Sequence, residues 1–251
     1  MSLSRREFLQ MLAMAGAAGM GLGGRNSAHA ASPANLYDVP TFGNVSLLHF
    51  TDCHAQLMPV YFREPNVNLG AGDAAGRPPH LIGAALLEHF RIAAGSALAH
   101  AYTFVDFERA ARRYGKVGGF AHLATLVKRL RADRPGALLL DGGDTWQGSA
   151  TALWTRGADM IGAQKLLGVD CTTGHWEFTY GAERVKQAVE KELAPIEFLA
   201  QNVKTTDFED PVFKPYTLRT VNGVSLAIIG QAFPYTPIAN PRHMVPDWTF
   251  G

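Results

Sequence analysis

The chain has 251 residues, 47% hydrophobic and 18% charged, which is a globular rather than a disordered composition. Its 23 basic and 22 acidic side chains leave a formal charge of +1, which excludes a nucleic-acid face built from bulk positive charge. Two cysteines exclude a disulfide scaffold and a paired CxxC zinc motif, and the one long apolar run is too short and too rich in small residues to span a membrane.

The first thirty residues read as an address. Ser4-Arg5-Arg6-Glu7-Phe8-Leu9-Gln10 pairs two arginines ahead of hydrophobic residues. Residues 11–22 form a soft apolar stretch of Ala, Gly and Met, and Ala28-His29-Ala30 has the small-residue spacing that a signal peptidase reads. This order resembles a twin-arginine export signal cleaved after Ala30, with a periplasmic destination. Its removal takes away three of the 23 basic and one of the 22 acidic residues, leaving a net charge of −1 on residues 31–251.

Beyond the signal, residues 45–50 predict a short buried strand that runs into Thr51-Asp52-Cys53-His54. Residues 58–117, rich in Pro, Gly, Ala and His, predict an insertion with one or two helices. Phe120, Leu123, Leu126, Val127 and Leu130 share one helical face, with Lys128, Arg129 and Arg131 elsewhere, and Pro135-Gly136 ends that helix. Ala137-Leu138-Leu139-Leu140 predicts a fully buried strand ending at Asp141. Residues 158–167 read as a helix and 169–172 as the next strand. Val185, Ala188, Val189 and Leu193 mark a further amphipathic helix, and residues 198–202 a fourth strand. Residues 216–221 and 224–229 flank Asn222-Gly223, a hairpin with a type I′ turn signal. Strands alternating with helices predict a layered α/β sheet. The last residues, Trp248-Thr249-Phe250-Gly251, carry no charged or flexible tail, from which we expect a piece of a longer chain.

Three polar clusters follow three predicted strands, where an open α/β sheet places its ligand site. The first is Asp52-Cys53-His54. Residues two apart on an extended segment point the same way, so a carboxylate and an imidazole reach one metal together while Cys53 faces away. The second, Gly142-Gly143-Asp144-Thr145-Trp146-Gln147-Gly148-Ser149, uses glycines to turn tightly and leave Asp144 at the strand tip. The third is Gly174-His175-Trp176-Glu177-Phe178-Thr179-Tyr180-Gly181. Singly each is weak, since a lone Asp after a strand is more often a helix cap and a lone His a structural one. Three in this order are much less expected by chance.

The order D-x-H, G-D-x-x-x-G, G-x-x-E-F resembles the calcineurin-like metallophosphoesterase superfamily, in the branch that holds the periplasmic 5′-nucleotidases. Residues 118–126, 199–203 and Val221-Asn222-Gly223 ahead of 227–230 add supporting matches. The resemblance implies a layered αββα sandwich, incomplete at the C-terminus, with residues 31–251 as the N-terminal part of the catalytic domain and no C-terminal domain.

One departure is informative. The nucleotidase pattern of the third cluster is Gly-Asn-His-Glu-Phe-Asp, in which Asn binds a metal and the His–Asp pair supplies a catalytic acid. Here those positions hold His175, Trp176 and Thr179, so the acid and its carboxylate partner are lost together. An alkoxide leaving group benefits from a proton donor. A sulfur leaving group, with a pKa near or below the ~8.5 of free Cys, departs without one. Neutral imidazole at His175 still serves as a ligand.

With residues 51–57 and 231–241, this third cluster resembles the thiosulfohydrolases of the periplasmic sulfur-oxidising (Sox) system, over nearly the whole chain from residue 36. That resemblance implies two divalent metal ions, manganese in that family, and hydrolysis by a water held between them. The substrate it implies is a cysteine S-thiosulfonate on the flexible arm of the SoxYZ carrier, released as sulfate. Asp52 and His54 would hold one metal, Asp144 would bridge both and His175 would hold the second. Trp176 would form an apolar wall beside the leaving sulfur, or simply fill core. No side chain is assigned as catalytic acid or base. The ligand set alone fits Mn, Fe or Zn.

Glu177 reads as a hydrogen-bond partner behind the site rather than a ligand. Cys53 and Cys171 read as buried, free and inert, with a disulfide between them the lesser alternative. His80, His89, His100 and His122 read as solvent-facing, and Tyr61, Arg63 and Asn66 as residues that could meet the carrier arm. Two other functions stay open: a periplasmic 5′-nucleotidase or cyclic phosphodiesterase, and a non-catalytic metal-binding module that docks the carrier. Further metal-binding histidines, in Gly-His and Gly-His-x-His segments, are expected beyond Gly251. The 251 residues alone are therefore expected to be inactive.

Overall fold

In chain order the strands of the computed structural model are β1 (Leu47–Phe50), β2 (Val60–Tyr61), β3 (Lys116–Val117), β4 (Leu138–Asp141), β5 (Cys171–Thr172), β6 (Glu197–Phe198), β7 (Val203–Thr205), β8 (Tyr216–Val221), β9 (Val224–Ile229) and β10 (Trp248–Phe250). The helices are α1 (Gly83–His89), α2 (Ala97–Tyr102), α3 (Phe107–Tyr114), α4 (Phe120–Ala132), α5 (Ala150–Thr155), α6 (Ala158–Leu167), α7 (Ala182–Gln187) and α8 (Thr236–Ala239). The structure describes residues 43–61, 70–105 and 107–251. The export signal at residues 1–30, with Arg63 and Asn66, lies outside the described residues.

The centre is a parallel sheet in the order β1-β4-β5-β6. The Leu-Leu-Leu run of β4 takes an interior place in the sheet, but the strand expected to be fully buried is covered on one face only: Leu139 and Asp141 are buried, Leu138 and Leu140 half-buried. Leu139 is fully buried, and Phe50 of β1 pairs with Asp141 of β4. Helix α4 packs Phe120 and Val127 inward, as its periodicity predicts. Arg131, read as off that face, is half-buried instead. Its guanidinium donates to the Gly168 carbonyl at 2.8 Å and to Asp170 at 3.1 Å. Helix α6 buries Met160, Ile161, Ala163, Gln164 and Leu167.

Other expectations change too. Among its described residues the insertion carries the α-helices α1 to α3 and a 3₁₀ turn at Gly72–Ala74, and its two ends are held together by the antiparallel pair β2–β3. The strand expected at 198–202 is only Glu197–Phe198, and the chain then bends into β7, which pairs with β10. The helix of Val185 to Leu193 continues past Gln187 as a π-helical turn over Ala188–Glu192. His80 is half-buried, whereas His89, His100 and His122 are exposed. The β8–β9 hairpin is as expected: Asn222 and Gly223 both have positive φ, as a type I′ turn requires.

Under the carboxyl ends of the sheet lies an aromatic core. The Phe178 ring sits 4.9 Å from Phe250 and 6.1 Å from Trp248, and Phe198 sits 4.7 Å from Phe213. Trp146 is buried beside Phe198. No helix among the described residues is long and apolar enough to cross a membrane.

Candidate metal centre

Parallel strands end on the same edge, so the loops after β1, β4 and β5 converge. Three backbone hydrogen bonds stitch the first two loops together. Gly142 N–H donates to Phe50, Asp52 N–H to Gly143 and His54 N–H to Asp144, each at 2.9 Å. The segment holding Asp52 and His54 is not extended. Asp52, His54 and Ala55 all have φ near +50°, in the left-handed region that L residues visit at some energetic cost. The two side chains still meet, with His54 Nε2 3.9 Å from Asp52 Oδ1, but a left-handed turn aims them rather than strand alternation.

Asp144 also has positive φ and is fully buried. Its Oδ2 lies 3.5 Å from His54 Nε2 and 3.2 Å from His175 Nδ1. Ligand atoms of Asp52, Asp144 and His175 all lie within 4.8 Å of one another. His54 approaches Asp144 and Asp52 without joining that triangle. Both carboxylate oxygens of Asp144 and the Nδ1 of His175 are buried without a hydrogen-bond partner. A buried polar atom left unpaired is costly, so this donor set fits a divalent cation. Burial and the negative Glu177 push the Asp144 carboxyl up to about 6, against the pull of His54 and His175.

The loops are hung from Glu177, whose carboxylate is buried and accepts four backbone N–H groups. They come from Thr145 (2.7 Å) and Trp146 (3.2 Å) on one oxygen, and from Asp144 (3.1 Å) and His175 (2.7 Å) on the other. Glu177 thus stands behind the site, as its sequence reading has it. Gly174 is required by contact: a Cβ there would lie 2.5 Å from the Phe178 ring.

Asp141 is a structural residue that sequence reasoning left as a strand end. Its Oδ1 accepts from Gly143 N–H and the Thr145 hydroxyl, both at 3.0 Å, and its Oδ2 accepts from Gln164. Gln164 in turn accepts from the Trp146 indole at 2.7 Å. The available signal was an acidic residue closing an otherwise apolar strand. Burial and the charge of Glu177 raise its carboxyl to about 7.

Trp176 is half-buried, with its ring 6.2 Å from that of His175. The Thr179 hydroxyl donates to the Trp176 carbonyl at 2.7 Å, closing their own 3₁₀ turn. Both cysteines are free. Burial, reinforced by Asp141, pushes the Cys53 thiol up to about 12, and burial with Glu197 pushes Cys171 to about 11. Tyr61 is exposed on β2.

No protein-family model matches the chain. Among curated proteins, the 5′-nucleotidase of Rattus norvegicus is 32% identical over 133 residues, covering 50% of this chain and 23% of that protein. The 5′-nucleotidase of Bos taurus is 33% identical over 132 residues, with the same shares. Among solved structures, the sulfate thiohydrolase SoxB of Thermus thermophilus is 38% identical with a TM-score of 0.64, covering 86% of this chain and 40% of that one. A 5′-nucleotidase precursor, also from Thermus thermophilus, is 21% identical with a TM-score of 0.53; it covers 82% and 32% and shares the fold. The chain therefore spans less than half the length of each of these relatives.

Proposed function

From its membership of the calcineurin-like metallophosphoesterase and 5′-nucleotidase superfamily, we propose that the chain is the N-terminal part of a sulfohydrolase that releases sulfate from a cysteine S-thiosulfonate on a SoxYZ-type carrier. The observation that carries this reading is the make-up of the third loop. Beside the unpartnered Asp144–His175 pair stand Trp176 and Thr179, where the nucleotidase pattern has its His–Asp acid. The likeness to SoxB at 38% identity supports it.

In this reading Asp52 and His54 would hold one divalent ion and His175 the second, with Asp144 available to both. Two such ions, manganese by the same analogy, would activate a water and offset the negative charge of the sulfonate oxygens. Water would attack the sulfonate sulfur, the bond from that sulfur to the sulfane sulfur would break, and the two protons of the water would pass to solvent as sulfate forms. The sulfane sulfur keeps the electron pair and stays on the carrier cysteine. No side chain has to protonate it. Glu177 keeps Asp144 and His175 in register during the exchange. Trp176 lines the leaving-group side and keeps water from it. The signal at residues 1–30 would deliver residues 31–251, with whatever follows, to the periplasm through the twin-arginine route.

The second reading is a nucleotidase or cyclic phosphodiesterase, favoured by the identity to 5′-nucleotidases. The test uses the protein made from its complete gene and loaded with manganese. Carrier bearing cysteine S-thiosulfonate should yield sulfate, and Asp144→Ala should abolish it. Phosphate from 5′-AMP without sulfate from the carrier would replace this reading with the second. Metal binding and carrier binding without either product would leave the non-catalytic docking module.

A further inference from the structure

We infer that Phe233 is the positioning residue that aims the His175 imidazole into the metal centre, an inference that rests on the reading of that centre as a metal site. A metal-binding histidine is commonly oriented by a hydrogen bond from its second ring nitrogen to a carboxylate or carbonyl. Among the described residues, no side chain or carbonyl makes that bond to His175. Its backbone is fixed by the N–H bond to Glu177 at 2.7 Å, which leaves the ring free to turn about its side-chain bonds. What faces the ring is Phe233, with centroids 4.1 Å apart and planes tilted by 33°. Two rings this close and tilted leave the imidazole little room to turn without moving Phe233.

Phe233 is itself held from two sides. Its N–H donates to the Gly174 carbonyl at 3.0 Å, directly before His175. The preceding residue, Ala232, is gripped by buried Asn202, whose Oδ1 accepts the Ala232 N–H at 2.9 Å and whose Nδ2 donates to its carbonyl at 3.0 Å. Asn202 lies in the bend between β6 and β7, directly before Val203. Asn202, at the entry to β7, thus fixes the backbone at 232, this fixes the Phe233 ring, and the ring fixes His175 with Nδ1 toward Asp144. Residues 199–203 and 231–241 were conspicuous in the sequence, and this gives both segments a role.

The test compares manganese binding, by calorimetry and by the electron-spin signal of the bound ion, in the complete protein and its Phe233→Leu, Phe233→Tyr and Asp144→Asn variants. Leu keeps apolar volume but no ring face. Phe233→Leu should weaken one of two manganese equivalents by about 10- to 100-fold, with the other unchanged, and Phe233→Tyr should restore it. Proton NMR of the metal-free protein should show His175 ring protons shifted upfield by the Phe233 ring current, with the shift lost in Phe233→Leu and kept in Phe233→Tyr. Asp144→Asn losing manganese while Phe233→Leu binds both equivalents like the parent would overturn the positioning role and leave the metal site standing. Manganese binding that is absent, or indifferent to Asp144→Asn, would overturn the site reading and the inference with it.

Discussion

Asp144 Oδ2 stands 3.2 Å from His175 Nδ1 and 3.5 Å from His54 Nε2, so one buried carboxylate oxygen faces imidazoles delivered by two other strand ends. Among the described residues nothing hydrogen-bonds either oxygen of that carboxylate. This pairing decides what the loops can do, because a buried acid without donors either keeps its proton or meets a cation.

Removing the charge but keeping the shape separates those two roles. Asp144→Asn relieves the buried negative charge, so the metal-free variant should be as stable as the parent or more so. It should bind divalent metal far more weakly. Urea denaturation with and without manganese checks both statements: metal should raise the midpoint of the parent and leave that of the variant unmoved. Equal stabilisation of both would mean that the ion sits elsewhere.

Glu177 is expected to matter for stability more than its distance from substrate implies. A glutamine offers one oxygen and places an NH₂ group against two of the four N–H donors that now point at the carboxylate. Glu177→Gln should lose roughly 2–4 kcal/mol of folding stability, since buried N–H groups are left facing a donor. Denaturant titration of the metal-free protein measures this directly. A change within about 0.5 kcal/mol, the size usual for surface substitutions, would contradict the clamp.

Asp141 gives a pH signature. Its carboxyl is raised from 3.8 to about 7 in the folded protein, so the native state binds the extra proton between those values. Stability from this group is fully present below the unfolded value and is lost as the pH rises through the folded one. The upper bound on that loss is about 4 kcal/mol. Asp141→Asn cannot titrate. The stability of the parent minus that of Asp141→Asn should therefore be larger at about pH 4.5 than at about pH 8, whatever the offset from disturbed contacts to Gln164 and Thr145. A difference that grows with pH would reverse the assignment.

If Trp176 and Thr179 stand where a nucleotidase carries its His–Asp acid, as the proposed function has it, a gain of function follows. Thr179 and Trp176 belong to one 3₁₀ turn, so the pair Trp176→His with Thr179→Asp re-creates the acid within a single local segment. General acids contribute roughly 10²–10⁴-fold, and a grafted pair should recover about tenfold or more in phosphate release from 5′-AMP. Sulfate release from the carrier should not improve. Phosphate release that stays at the parent level, with the variant folded and metal-loaded, would remove the acid as the distinction between the two chemistries.

Much of the site was legible because its parts are local. Asp144 follows an apolar run and two glycines, and His175 follows a short strand and a glycine, so each announces a strand end by composition alone. The hairpin at Asn222-Gly223 was legible for the same reason: two adjacent residues with positive φ leave few other choices. The geometry at Asp52-Cys53-His54 was misread because the left-handed turn depends on hydrogen bonds to Gly143 and Asp144, about ninety residues later in the chain. The role of Asp141 was hidden likewise. Nothing near it in sequence reveals that Gln164 and Trp146 complete its network. The bend after Phe198 was missed because the apolar run through Ala200 continues into residues that pair with Lys214 and Gly230 instead of extending the strand.

The most direct test is anomalous diffraction at the manganese edge from crystals of the complete protein grown with manganese. Two peaks should flank Asp144, one against Asp52 and His54 and the other against His175, and both should vanish in Asp144→Asn crystals. Density placed away from Asp144, or a single ion touching neither His54 nor His175, would contradict a metal centre built from these three strand ends.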